Sequence, residues 1–457
     1  MQLSSIPRAP GGLPLLGHIA PLMRDPARFL ESLPQYGDLV QIGVGPAKVV
    51  VVCDPELTRQ IFLNDQVFDK GGRPIVKLRE VIGNGLGTCS HSDRRRQRMR
   101  TQPAFHNARM PRYAEMITER ISSLTQEWRD GQVIVPMSCM FDITQQTAAV
   151  TIFSKTLSDN QVNTIFQDGH TVVSGVYKRI IMPTQLAKLP LFGNRKYDQA
   201  RVRLRRSITQ IINNRRRSGE REHDILSSLL DTHEASKGNG ESQDLLDNEI
   251  IDHVITFFLG GLETIAVLMA WSMHMVARHP AVQRELHKEV DSVVKGQTAV
   301  YADIPKLAVT NRIITETLRL YPPAWLLTRE TTTDCKLGKY SIPAGVTVIY
   351  SPLVLQHRAD IFPNPHKFIP DRWKNGSNDK LQRHALIPFA GGPRKCIGDT
   401  LAVTEAVLNL ATVAARWKLD PVPGDELKAK HTFITTPEGT VRVSKRARGG
   451  AGSTAGQ

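Results

Sequence analysis

The sequence predicts a mainly α-helical body with small β-sheets, gathered around one long central helix, with a small β-rich lobe near the N-terminus. Three observations predict it. Residues 250–276 are largely apolar on all sides apart from Asp252, His253 and the Glu263-Thr264 pair, as a helix through the centre of a large body should be. Two strand-like runs, 39–44 and 48–53, are split by Gly45-Pro46 and read as a hairpin. After Cys396, the run LAVTEAVLNLATVAARW repeats apolar residues at three- and four-residue steps, which predicts a closing helix.

Taken in order, residues 4–18 (SSIPRAPGGLPLLGH) are an extended lead-in rich in proline and glycine. A short helix is expected near 26–36, and Asp54-Pro55 supplies an N-cap and first-turn proline for a helix to about Asn64. Residues 69–90 hold five glycines and read as a long loop. Residues 91–105 then carry Arg94, Arg95, Arg96, Arg98 and Arg100, five cations that repel unless anions lie nearby. From 110 to 235 the pattern is helical, broken around Pro183, Pro190 and Gly193, and a polar turn over 234–248 caps a helix from Asn248 to about Arg278. Residues 340–350 read as strand, turn, strand, and the last twelve residues (RARGGAGSTAGQ) as a disordered tail.

Composition narrows the function. The 457 residues allow about three ordinary domains and a large core. No run of about twenty apolar residues stands out, and the first residues lack a signal-peptide core, so a cytoplasmic protein without a membrane anchor is expected. The five cysteines are scattered, without C-x-x-C, which argues against a disulfide framework or zinc site. A net charge of +15 invites a nucleic-acid reading, but no basic motif with interleaved aromatics accompanies it.

The chemistry concentrates in three places. In FAGGPRKCIGD (389–399), two glycines, a proline and two cations crowd one cysteine just before a helix. A thiolate that binds metal needs such neighbours, because cations and a helix N-terminus stabilise its charge. GGLET (260–264) puts two glycines, an acid and an alcohol mid-helix, where each glycine is unfavourable by about 1 kcal/mol against alanine. That asks for a reason, such as a helix that opens onto a ligand, with Glu263 and Thr264 relaying protons. Finally, Glu316 and Arg319 lie three apart in NRIITETLRLYPPAW, ahead of Arg372 in FIPDRW.

The pattern F-x-x-G-x-R-x-C-x-G, filled by Phe389, Gly392, Arg394, Cys396 and Gly398, resembles the haem-ligand loop of the cytochrome P450 monooxygenases. GGLET resembles that family's A/G-G-x-D/E-T element, and the E-x-x-R pair with FIPDRW extends the likeness over roughly residues 8–445. The resemblance implies the cytochrome P450 fold, a single haem-centred helical body, with 1–18 as lead-in, 19–445 as haem-thiolate domain and 446–457 as tail. It implies haem b with Cys396 as axial ligand, and Arg98, Arg329 and Arg394 as further cofactor-binding residues. Glu263 and Thr264 would serve catalysis, and Glu316, Arg319 and Arg372 would be structural. Val76, Phe257, Phe258, Gly261, Leu326 and Leu327 would line the substrate pocket, with Val81, Leu86 and 325–328 nearby. Arg94 and Ile265 depart from the family pattern, standing where an aromatic or histidine and a second Thr or Ser are usual.

The stretches PGGLPLLGH, NDQVFDKGG, GNGLGTC, QPAFH and TFFLGGLET narrow the resemblance to the bacterial terpene oxygenases of the pentalenene oxygenase group. This implies a monomer of the soluble bacterial branch that hydroxylates a compact hydrocarbon, in one step or several. Electrons would come from ferredoxin and ferredoxin reductase, with the basic surface facing the acidic donor. Fatty acids, steroids and macrolides suit an apolar pocket nearly as well. A haem-thiolate isomerase or a haem-binding sensor is the reading from another class.

Overall fold

The computed structural model describes residues 3–154, 157–182, 192–235, 242–376 and 379–446. Its axis is the 36-residue helix Gln243–Arg278, started by Ser242, whose hydroxyl accepts from the Leu245 N–H at 3.3 Å. The helix starts five residues before the expected Asn248, because 243–248, the end of the polar stretch that reads as a turn, is already helical. By length and composition alone, Asp244–Arg278 is long and apolar enough to cross a membrane, contrary to expectation, but 61% of its most apolar window is buried within the protein. Its neighbours include Pro136–Phe153 and Asp399–Arg416, and the three share one large apolar core. Within the glycine-bearing turn, the Thr144 hydroxyl contacts the Leu262 carbonyl at 3.1 Å.

The β-lobe begins with the hairpin Leu39–Val44 and Ala47–Val52, in register from Leu39↔Val52 to Val44↔Ala47, and Gly45 takes the positive φ of 59° that the turn requires. Asp54 then caps Pro55–Leu63, accepting from Leu57 N at 2.8 Å. Residues 340–350 form strand, turn, strand as expected, and the two strands enter different sheets. Tyr340–Ile342 pairs with Cys335–Leu337, whereas Thr347–Tyr350 joins Ala47–Val52 and Leu327–Thr331 in a five-stranded sheet. Thr331 is the cause: it donates to Pro343 O at 2.6 Å, accepts from Val346 N at 3.0 Å, and so takes the bonds a hairpin ladder would use.

The glycine-rich stretch after Asp69 is not all loop. Gly72–Ile82 is a helix that buries Ile75, Val81 and Ile82, the last two about two turns beyond the first on the same face, a pattern that the flanking glycines masked. Gly193 likewise lies inside the helix Phe192–Ser218, while Pro183, Pro190 and the tail from 447 fall outside the described residues.

The cysteine loop is registered against the β-lobe. A Cβ at Gly392 would lie 2.3 Å from the Phe62 carbonyl oxygen, at φ +63°, and one at Gly391 would lie 2.5 Å from the Phe62 ring. The end of Pro55–Leu63 therefore requires glycine at both positions. Gly392→Ala should lower stability by at least about 1 kcal/mol, seen as an earlier urea midpoint with an unchanged slope. An unchanged midpoint would show that the loop is free to move off Phe62.

Candidate active site

Cys396 stands between the short 3-10 turn Gly392–Arg394 and the helix Asp399–Arg416, with its backbone N–H held by Phe389 O at 3.0 Å. Its side chain opens into a cavity of about 350 Å³ with mostly apolar walls. Burial pushes the thiol up from its ordinary value, while the Gly398 N–H and the cations Arg98 and Lys395 favour the thiolate.

Across the cavity lie Phe257, Gly260, Gly261 and Thr264 of the central helix. A Cβ at either glycine would meet nothing within 4 Å, so their absent side chains are open space on the cavity side. The Thr264 hydroxyl donates to Gly260 O at 2.8 Å, which ties it to the turn before it in its own helix. Glu263 is partly buried beside Thr264 but is not on the cavity wall, and burial pushes its carboxyl up to about 7.

The expected pocket residues divide. Phe257, Gly261, Leu327 and Leu86 line the cavity. Val76 does not: it is 51% exposed, on the outer face of its helix. Phe258 turns the other way and packs on Phe166 at 4.7 Å between ring centroids, because adjacent helical residues point about 100° apart. Leu326 and Trp325 pack into the N-terminal lobe, Val81 sits in the main core, and Thr328 donates to Gly71 O at 2.9 Å. Pro323, Ala324, Phe105 and Ile265 complete the wall and were not foreseen.

The cations are sorted by partner. Arg94 reaches Asp65 at 2.7 Å, and Arg96 and Arg100 both pair with Glu249, so the basic helix His91–Thr101 finds its anions within the chain. Burial disfavours the Asp65 charge, but the hydrogen bond from His91 and the Arg94 and Arg394 guanidiniums outweigh it and hold that carboxyl low. Arg394 donates to Asp65 at 3.1 Å, Asp69 at 2.5 Å and Cys89 O at 2.7 Å, so protein oxygens engage its guanidinium. Arg98, on the cavity wall, donates to Lys395 O at 2.8 Å.

Arg329 is buried behind Tyr350, off the cavity wall, and its Nε and Nη1 atoms find no acceptor. Lys70, missed in the sequence reading, lines the cavity; burial first, then Arg329 and Arg394, push its ammonium well down. Asp69 stands beside this cluster, but the Arg329 donors are left without an acceptor, and leaving buried donors unmet is costly. The two carboxylates of a haem are groups of the kind those donors lack. The sequence cue for Lys70 was a lone cation in FDKGG, just after the short strand Phe68–Asp69.

Away from the cavity, Glu316 and Arg319 form a fully buried two-bond pair at 2.9 Å and 2.9 Å. Arg319 also donates to the carbonyls of Gln356, Pro365 and Lys367. Glu316 accepts from Ile369 N, Trp373 Nε1 and, at 3.5 Å, Arg372 Nε. The unassigned His357 bridges Glu31 at 2.6 Å and Leu320 O at 3.0 Å.

The cytochrome P450 family profile matches residues 7–444. The chain belongs to the cytochrome P450 family, and membership implies a haem–thiolate cofactor. It is 40% identical to cyclooctat-9-en-7-ol 5-monooxygenase of Streptomyces melanosporofaciens, over 92% of this chain and 90% of that one. It is 41% identical to cyclooctatin synthase of the same organism, over 94% and 93%. Pentalenene oxygenase of Streptomyces avermitilis is 37% identical, over 92% of each chain. The crystal structure of the cytochrome P450DA heme domain superimposes with a TM-score of 0.84 over 97% of this chain and 98% of the other, at 24% identity, a likeness of fold.

Proposed function

We propose that this P450 is a monooxygenase that hydroxylates a terpene hydrocarbon at an unactivated carbon. The observation that carries it is Cys396 facing Gly260, Gly261 and Thr264 across a largely apolar cavity. The names of the similar proteins supply the substrate class, because two are named for a monooxygenase or oxygenase acting on cyclooctatenol or pentalenene. Haem b would be held by the Cys396 thiolate, with Lys70, Arg98 and Arg329 available to its carboxylates. When bound, it supplies oxygen activation and transfer to carbon.

The chain's own residues do the rest. Cys396 presents its sulfur from a loop fixed by Phe389 and Phe62. Phe257, Leu86 and Leu327 offer an apolar surface that orients a hydrocarbon and excludes water. Thr264 holds a hydroxyl at the Gly260-Gly261 turn, and Glu263 is a proton source beside it. A ferredoxin and its reductase donate the electrons, and the enzyme works as a cytoplasmic monomer.

The test is incubation of the haem-loaded protein with a ferredoxin system, labelled dioxygen and a panel of terpene hydrocarbons. Label in a terpenoid alcohol supports the reading; turnover of fatty acids, steroids or macrolides alone overturns the substrate class. Rearranged product without label would establish the isomerase instead.

Glu263 makes a pH prediction. With its carboxyl near 7, the protonated donor is depleted as pH rises through that value. The fraction of reductant converted to product should fall over that range, and Glu263→Gln should be poorly coupled and flat with pH. A profile identical in the variant would remove Glu263 from proton delivery.

A further inference from the structure

A second buried acid borders the same cavity, on the cysteine side, and the function above makes no use of it. Glu405 lies on Asp399–Arg416, nine residues beyond Cys396; it is 4% exposed and forms part of the cavity wall. Its one hydrogen-bond partner among the described residues is Thr147 of the Pro136–Phe153 helix, at 2.5 Å from Oε1.

Thr147 offers a hydrogen-bond arrangement for each protonation state of Glu405. Its hydroxyl has one hydrogen but two acceptors in reach: Glu405 Oε1 at 2.5 Å and the Thr144 carbonyl at 3.2 Å. With Glu405 ionised, Thr147 donates across the shorter contact and favours its charge, leaving the longer Thr144 contact unmade. A neutral Glu405 donates to the Thr147 oxygen, and Thr147 donates onward to Thr144, so both contacts are satisfied together. The Thr147 backbone is itself fixed, since the Thr151 hydroxyl donates to its carbonyl at 2.6 Å.

Electrostatics agree. Burial pushes the Glu405 carboxyl up to about 7, against the small opposing effect of the Thr147 hydrogen bond. Asp142 on the Thr147 helix, Glu263 on the central helix, and Glu316 and Arg319 on Ala308–Leu320 contribute nothing to that shift. The acid is balanced between two protonation states with no fixed counter-charge, so a unit charge arriving in the cavity selects between them.

We propose that Glu405 is a redox-linked proton carrier, binding one solvent proton when an electron enters the cavity's haem and releasing it when the electron leaves. The proposal rests on the haem-thiolate reading above. Per electron delivered by a one-electron donor protein, one carboxylate and one proton become one carboxylic acid, so the added negative charge is neutralised on the wall. Thr147 is the positioning residue: it fixes the carboxyl in the wall and reads its state by choosing its own acceptor.

The experiment is a mediated redox titration of the haem-loaded protein across about pH 6 to 8, a window centred on the carboxyl's shifted value. It is paired with infrared difference spectra, reduced minus oxidised. The wild-type midpoint potential should fall as pH rises, and a carboxylic-acid carbonyl band should appear on reduction. Glu405→Gln should lose that band and flatten the pH dependence, while Glu263→Gln keeps the band. Wild-type slope and band in Glu405→Gln, or their loss in Glu263→Gln alone, overturns the proposal. Should Glu405→Gln fail to take up haem, Thr147→Val keeps the acid but removes the hydrogen bond that favours its charge. The pH dependence should then move to higher pH, and an unmoved profile overturns the assignment. A wild-type protein with no thiolate-type carbon monoxide spectrum would overturn the parent reading, whereas a normal spectrum with a pH-independent potential overturns only this one.

Discussion

Cys396→Ala protein, reduced and exposed to carbon monoxide, loses the strongly red-shifted Soret band that the wild-type protein gives, and its substrate oxidation falls to background. The effect is large because no other cysteine can substitute. Among the described residues, Cys396 is the one cysteine on the cavity wall, and Cys53, burial-locked with its thiol pushed up to about 12, lies in the N-terminal lobe. Alanine also spares the loop, whose shape depends on Gly391 and Gly392 against Phe62 rather than on the cysteine side chain. The variant should therefore fold with a near-normal far-ultraviolet spectrum. A red-shifted band that survives the substitution would remove Cys396 from the ligand role, and the monooxygenase reading with it.

Glu316→Ala should cost about 3–5 kcal/mol, the penalty for leaving a buried charge without its partner. Three further donors, Ile369 N, Trp373 Nε1 and Arg372 Nε, lose their acceptor at the same time. Against a typical total stability of about 5–15 kcal/mol, that loss removes from about a fifth to nearly all of it. Urea unfolding followed by tryptophan fluorescence measures it directly, since Trp373 is one of the donors. A shift below about 1 kcal/mol would mean that the segment around residues 363–373 is held by other contacts. Restoring neutrality with Glu316→Ala plus Arg319→Met should recover part of the loss, because the costly element is the orphaned guanidinium rather than the missing pair.

What the sequence made legible was whatever a local pattern forces. The hairpin at 39–52 follows from two strand-like runs rich in β-branched residues and one glycine-proline turn, the cap at Asp54 from a side chain reaching its own helix, and the central helix from its apolar run. Cys396, the two glycines at 260–261 and the Glu316–Arg319 pair were readable because each breaks an ordinary rule of composition. The misses have one physical origin. Phe258 and Val76 were apolar residues at plausible positions, but which way a side chain turns depends on neighbours far away in the chain. The strand, turn, strand over 340–350 was legible, but which sheets the two strands join is set by partners elsewhere in the chain. Lys70 and Glu405 were overlooked because a single charge in a helix or turn gives no local sign that folding will bury it.

The contact of Gly391 and Gly392 with Phe62 has a consequence for how the protein matures. It joins segments about 330 residues apart, and contacts of that span close late in folding. Until the lobe docks, the cysteine loop has no floor, so the nascent chain offers a haem no ordered thiolate. Cofactor capture should therefore be a terminal event that trails formation of the helical core. In stopped-flow refolding with haem present, tryptophan fluorescence should recover before the thiolate Soret band, and Gly392→Ala should delay the second phase alone. Production in haem-starved cells should accordingly yield a soluble, largely folded chain that gains its colour when haem is added after lysis.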